Sequence, residues 1–236
     1  MVALRRPGLA LLAVLGGLVL VPPTGVAGAG SVRSVAGNVD PALDVVEPGT
    51  VGVAASGAPL GGVVPVIVQN QKSVAVTELR ISARGLDGDG RTVARATTRT
   101  VVPNVLDPGA AGLARVDFHD RLLPLGLSFE FTVTAQRARH AATVPLEPTA
   151  FRLSPPMTGP VAQTLDVTLR NGTSTRARSP VHVAVMCFGE SRRPVLYRQA
   201  TVQDTKLAPG ASMSTSVDFT ELCPAYVVGA TAFSAR

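Results

Sequence analysis

Cys187 and Cys223 are the only cysteines in this chain of 236 residues, and their pairing is the one covalent bond its side chains could form with each other. Cys187 ends one apolar alternating run and Cys223 opens the last. If those runs are antiparallel neighbours, the end of one lies beside the start of the other. An oxidising location outside the cell would favour a disulfide. Two free buried thiols and a soft-metal pair are the alternatives. Copper could draw on His119, His140, His182, Met157, Met186 and Met213 together with Cys187. No two of these histidines have a spacing that sets them close on one strand face. Met186 is out of phase with Cys187 and points the other way. Surface histidines and gap-filling methionines are the plainer reading, so neither a metal nor any other cofactor is expected.

The carboxylates offer two further motifs. Asp87, Asp89 and Gly90 open like a calcium loop, but the third acid is missing and Thr98 stands where the closing Glu would be. A plain hairpin turn explains them. Asp117-Phe118-His119-Asp120 sets an imidazole among carboxylates, as a hydrolase might. No serine sits in a nucleophile-elbow context, and no nucleophile, base and orienting group converge. The sequence is not expected to be an enzyme.

Arginine is the most repetitive charged feature. Arg91, Arg95 and Arg99 would share one face of a strand, and Arg192, Arg193 and Arg198 lie in a corresponding stretch further on. The two sets could form strips that grip an anionic envelope polymer. Codon bias toward Arg, with Lys72 and Lys206 the only lysines, and charge placed to protect sheet edges are competing explanations. Nucleic acid is not an expected partner, because stacking needs aromatic platforms and the chain has no Trp and only 2 Tyr. Asn171-Gly172-Thr173 spells a glycosylation sequon. Its counterpart Asn70 is followed by Gln71-Lys72, so a turn role fits both positions.

The elements that would position these residues are written twice. Val66, Asn70, Ser73, Arg91, Val101, Leu106, Pro108, Gly109, Val116, Asp117 and Phe118 are answered at a constant offset of 101 residues. Their partners are Val167, Asn171, Ser174, Arg192, Val202, Leu207, Pro209, Gly210, Val217, Asp218 and Phe219. Such a period is far too long for a solenoid and matches one whole β-sandwich. Strand patterns read as Val51–Ala55, Val64–Val68, Leu79–Leu86, Thr92–Val102, Leu113–Phe118 and Ser128–Gln136. In the second copy they are Ala150–Leu153, Thr164–Arg170, Val181–Phe188, Val195–Val202, Met213–Phe219 and Tyr226–Phe233. Alternation is clean at Val64, Val66 and Val68, at Phe129, Phe131, Val133 and Ala135, and at Val181, Val183, Val185 and Cys187. Frequent Pro (19) and Gly (23) punctuate the runs, as turns require.

The expected architecture is all-β: two tandem immunoglobulin-like antiparallel β-sandwich domains after an N-terminal signal peptide. Arg5 and Arg6, the apolar run Leu9–Val21, Pro22-Pro23 and the small residues Ala27-Gly28-Ala29 mark residues 1–29 as that signal. The apolar run is too short to span a bilayer as a helix, so no membrane span is expected in the mature chain. Residues 30–46 read as a flexible approach segment, 47–138 as the first sandwich, 139–146 as a linker and 147–236 as the second. An apolar strand ending in Asn, a central strand leading to an Asp/Gly hairpin, and Leu-x-Pro-Gly before a strand ending in Phe resemble bacterial immunoglobulin-like modules of the FxLYD and CARDB type. The tyrosine-aspartate pair of the FxLYD signature is replaced by Leu86-Asp87 and Phe188-Gly189. The resemblance implies an extracellular adhesion or interaction module and supplies no catalytic residues. The leading expectation is a secreted, non-enzymatic interaction or structural protein whose partner is a protein or cell-envelope component. Anionic-polymer binding through the arginines and extracellular copper binding are the alternatives.

Overall fold

Both copies of the repeat fold into antiparallel strands in closely related order, the second linked into one continuous path by β9 (Thr143–Leu153). The computed structural model describes residues 35–119, 123–139 and 142–235, so the expected signal peptide lies outside the described residues. A short strand β1 (Val35–Gly37) precedes the first repeat, which comprises β2 (Val51–Ser56), β3 (Val63–Asn70), β4 (Val76–Leu86), β5 (Thr92–Thr98), β6 (Val101–Val102), β7 (Ala111–Asp117) and β8 (Ser128–Arg137). The second repeat comprises β9 (Thr143–Leu153), β10 (Gln163–Arg170), β11 (Ala177–Phe188), β12 (Pro194–Val202), β13 (Lys206–Leu207), β14 (Ser212–Phe219) and β15 (Tyr226–Ser234). In the first repeat, β2-β3-β7-β6 faces β5-β4-β8; in the second, β9-β10-β14 faces β12-β11-β15. These are immunoglobulin-like sandwiches, with inward side chains supplied by alternate residues of each strand.

Each sandwich has its own core. Val64, Val66, Leu79, Ile81, Val116 and Phe118 are among the buried residues of the first. Val167, Leu169, Val183, Val185, Val217 and Phe219 are among those of the second. The repeated asparagines organise the same corner in both. Asn70 Nδ2 donates to the carbonyls of Val74 and Leu106, and its Oδ1 accepts from the Lys72 N–H. Asn171 makes the same three bonds 101 residues on, to Thr175, Leu207 and Thr173. Both side chains are fully buried. The Asn171 amide is therefore a structural clasp, closed to a glycan. Gly109 and Gly210 both take φ 77°, which the turn ahead of β7 and β14 demands and which an L side chain resists.

A third apolar layer joins the two sandwiches. Ala55, Ile67, Val102 and Leu113 point outward from the first repeat, and Ala184, Met186, Phe188, Tyr197 and Val227 point outward from the second; together they form one buried cluster. The outer face of β2-β3-β7-β6 thus lies on the outer face of β12-β11-β15. The described residues accordingly form one compact unit. The two remaining outer faces are polar. On the second repeat, Thr168 and Ser214 occupy the places of Ile67 and Leu113, and Thr168, Ser214, Asp166 and Ser216 are hydrogen-bonded across β10 and β14.

Two boundaries differ from expectation. Within residues 30–46, read as flexible, residues 35–46 are held in place. β1 pairs with β15, the Ala42 N–H donates to the Arg192 carbonyl, and the Asp44 N–H donates to that of Ala54. Within residues 139–146, read as a linker, Thr143–Leu146 forms the first half of β9 and pairs with β15. At Glu147 and Pro148 the strand crosses to the opposite sheet and pairs with β10. Pro145 hid this strand from the sequence reading, yet proline is tolerated on a sheet edge.

Candidate functional site: an arginine-bearing sheet face and a buried disulfide

The outer face of β5-β4-β8 is the exposed counterpart of the face that the second repeat buries. Antiparallel register arranges it in rows. Arg95, Arg84 and Glu130 stand opposite one another, then Thr97, Ser82 and Thr132; Arg80 faces Thr134 in the next row. In the second repeat the first two rows read Tyr197, Met186, Val227 and Gln199, Ala184, Gly229. A row of Tyr, Met and Val at the seam is thus replaced by two arginines and a carboxylate, and the row beside it carries three hydroxyls.

Arg84 pairs with Glu130 across the strands. Arg80, Arg95 and Arg99 have no ion-pair partner among the described residues. Arg84 and Arg95 are directly opposed, an arrangement that costs stability unless an anion or solvent screens it. An open depression of about 540 Å³ lies at one end of this face, lined by Arg80, Arg99, Glu78, Thr134 and Gln136. It forms where the β4–β8 register shifts between Thr77 and Arg80, and Glu78 adopts φ 50° there. Arg95 and His119 line a second depression on the same sandwich.

The expected strips are brought together only in part. Arg95 and Arg99 share the face as the alternation required. Arg91 belongs to the hairpin instead, 3.6 Å from Asp89. Sequence reasoning missed Arg80 and Arg84, because it looked along one strand and not across the ladder. The second set does not make a strip. Arg192 sits at φ 57° in a hairpin, Arg198 donates to Thr220 Oγ1, and Arg193 makes a two-pronged bond to Asp44 at 2.6 and 2.7 Å. The guanidinium of Arg193 holds the Asp44 carboxyl below the usual carboxylate range, and Asp44 in turn raises Arg193. Of the three, Arg193 ties the second repeat to the segment ahead of the first. Burial pushes the Tyr197 phenol well above its ordinary value, with Arg115 opposing the shift.

Cys187 and Cys223 form a disulfide with Cα atoms 5.4 Å apart. Both are buried in the core of the second sandwich. β11 and β15 are antiparallel neighbours, with Cys187 opposite Tyr226, so the strand order behind the expected pairing is present. Cys223 itself lies in the loop just ahead of β15, where its N–H donates to Gln163 Oε1.

The other motifs resolve into turns and surface contacts. Asp87 Oδ1 accepts from the N–H groups of Asp89 and Arg91, closing the hairpin. Asp117 Oδ1 accepts from the His119 N–H in the same manner. His182 Nδ1 lies 3.1 Å from Thr201 Oγ1, Met186 is in the seam, and His140 lies outside the described residues. Among the described residues, no group of three or more His, Cys, Asp and Glu side chains is placed to hold a metal ion. None of the described elements is a helix long and apolar enough to cross a membrane.

No protein-family model matches the chain, and no curated protein does. Among solved structures it is similar to red sea bream transglutaminase at 11% identity and a TM-score of 0.22. That match covers 79% of this chain and 27% of the transglutaminase, and a likeness so distant carries no argument about activity.

Proposed function

We propose that the chain is an exported, non-catalytic binding protein whose working surface is the outer face of β5-β4-β8, and that its ligand is an anionic polymer of the cell envelope. The supporting observation is the differentiation of one repeated face. The second repeat uses it as an apolar seam, whereas the first carries Arg80, Arg84, Arg95 and Arg99 on it, with hydroxyls between. A flat, regularly spaced cationic surface suits a long, repetitive polyanion better than a small molecule. The buried disulfide accords with an oxidising location, and a rigid two-sandwich body would hold the face in a fixed orientation.

A pull-down with a cell-wall fraction and with polyglutamate tests the reading. Binding should fall steeply as salt screens the arginines. The double variant Arg95→Ala, Arg99→Ala should lose most of it while keeping the melting temperature. Salt-insensitive binding, or full binding by the double variant, would refute the assignment. Recovery of the protein outside the cell with an N-terminus near Gly30 would support export.

A further inference from the structure

We propose that the outer edge of β8 is a self-association site, where two copies of this chain pair antiparallel and join their three-stranded sheets into one of six. The comparison between repeats carries the inference. β15, the counterpart of β8, is bonded on one side to β11. Its other side is covered by β1 along Val227–Gly229 and by the first half of β9 along Ala230–Phe233. β8 is bonded to β4 on one side. Among the described strands none is hydrogen-bonded to its other side, although β2 of the facing sheet packs close to it.

The cause is a diversion of the chain. Residues 43–46 precede β2 as Thr143–Leu146 precede the rest of β9, and could have closed the β8 edge. They are held instead by Ala54 and, through Asp44, by Arg193 of the second repeat. The first sandwich is left open where the second is shut. Side-chain burial records the difference: Tyr226, Val228, Ala230 and Ala232 are buried, whereas Phe129, Phe131, Val133 and Ala135 are only partly so. Sheets left with a long free edge ordinarily blunt it with proline, bulges or inward charge. Ser128–Arg137 has ten residues, no proline or glycine, and alternates apolar with Thr, Glu and Gln.

The strand is complementary to itself. Glu130 near its start and Gln136 near its end share one face, so antiparallel pairing sets the carboxylate of each copy opposite the amide of the other. A two-fold axis at Val133 places Phe131 opposite Ala135 of the second copy, large against small. Phe129 then meets the long side chain of Arg137, and Thr132 meets Thr134. Such an isologous contact closes at two copies.

Sedimentation equilibrium of the purified protein from micromolar to millimolar concentration tests the proposal. The wild-type chain should approach twice the monomer mass. The exposed pair Thr132→Lys, Thr134→Lys sets like charges opposite each other and should raise the dimer dissociation constant by about tenfold or more. The pair Thr132→Lys, Thr134→Glu should restore association, because each Lys then faces a Glu. Circular dichroism should be unchanged in both, and the melting temperature should fall only slightly for the Lys/Lys variant, because Thr134 lies opposite Arg80. A wild-type chain that stays monomeric, a Lys/Lys variant that associates normally, or a Lys/Glu variant that fails to recover would each overturn the proposal.

Discussion

The seam between the two sandwiches can be tested at two glycines that permit it. Gly57 belongs to the first repeat, and a Cβ added there would stand 2.0 Å from the Pro194 carbonyl oxygen of the second. Gly229 belongs to the second repeat, and its Cβ would stand 2.7 Å from the Val102 oxygen of the first. Both obstacles are backbone and cannot rotate away. Restoring an ordinary contact at Gly57 requires the seam to open by roughly 1–1.5 Å, and a gap of that size forfeits a quarter to a half or more of each dispersion contact across it. Gly57→Ala should therefore cost about 3 kcal/mol, the upper end for overpacking, and Gly229→Ala about 1–2 kcal/mol. In a chain of this length each kcal/mol lowers the melting temperature by about 2–4 °C. Since one opening relieves both clashes, the double variant should cost less than the sum. Scanning calorimetry should give a single transition for the wild type and two for the Gly57 variant, with reductant shifting only the transition of the disulfide-bearing repeat. Two transitions in the wild type, or a Gly57→Ala melt within a degree of it, would refute the reasoning.

Reduction of Cys187–Cys223 should cost about 4 kcal/mol by the chain-entropy estimate for a separation of 36 residues, and a thiol titration of the native protein should find no free cysteine. Asn70→Ala removes three hydrogen bonds from a buried site and Asn171→Ala removes five, two of them shared between the Leu207 and Ala208 carbonyls. Each should destabilise by about 2–4 kcal/mol in denaturant melts, Asn171→Ala by the larger amount. Expression in a glycosylating host should leave the chain at its polypeptide mass. Asp44 has a lowered folded pKa, so its stabilising effect is present above the unfolded carboxylate value of about 3.9 and is lost as pH falls through the lower folded value. Asp44→Asn should flatten that part of the acid limb of a stability profile and leave the neutral region little changed apart from the lost pair.

Strand placement was legible because turn residues and alternation agree. Eleven of the twelve expected strands lie within or close to the observed ones, and the disulfide follows from their order; the twelfth, Thr92–Val102, is divided into β5 and β6, which belong to opposite sheets. β1 escaped because three residues of Val-Ala-Gly carry no period. The seam escaped although a signal existed. Val181–Phe188 and Val63–Val68 are apolar in both phases, which is the mark of a strand covered on both faces. Taking only the odd residues of β11 as core left Ala184, Met186 and Phe188 without a role. The arginine face was half legible, since Arg95 and Arg99 share a phase on one strand. Arg80 and Arg84 join them only through the β4–β5 register, which no single run of sequence encodes.

The opposed polar and apolar faces set a limit on growth. Face-to-face stacking of one repeat on the next is a head-to-tail operation, and nothing in that geometry makes it stop. The two outer faces do not offer that contact: Thr168 and Ser214 stand where Ile67 and Leu113 would welcome another sandwich, and Arg84 and Arg95 stand where Met186 and Tyr197 would offer themselves to one. Two substitutions at each end would remove both terminators and leave a chain whose tail fits its own head. The limit therefore rests on a few alternate residues that the core does not constrain.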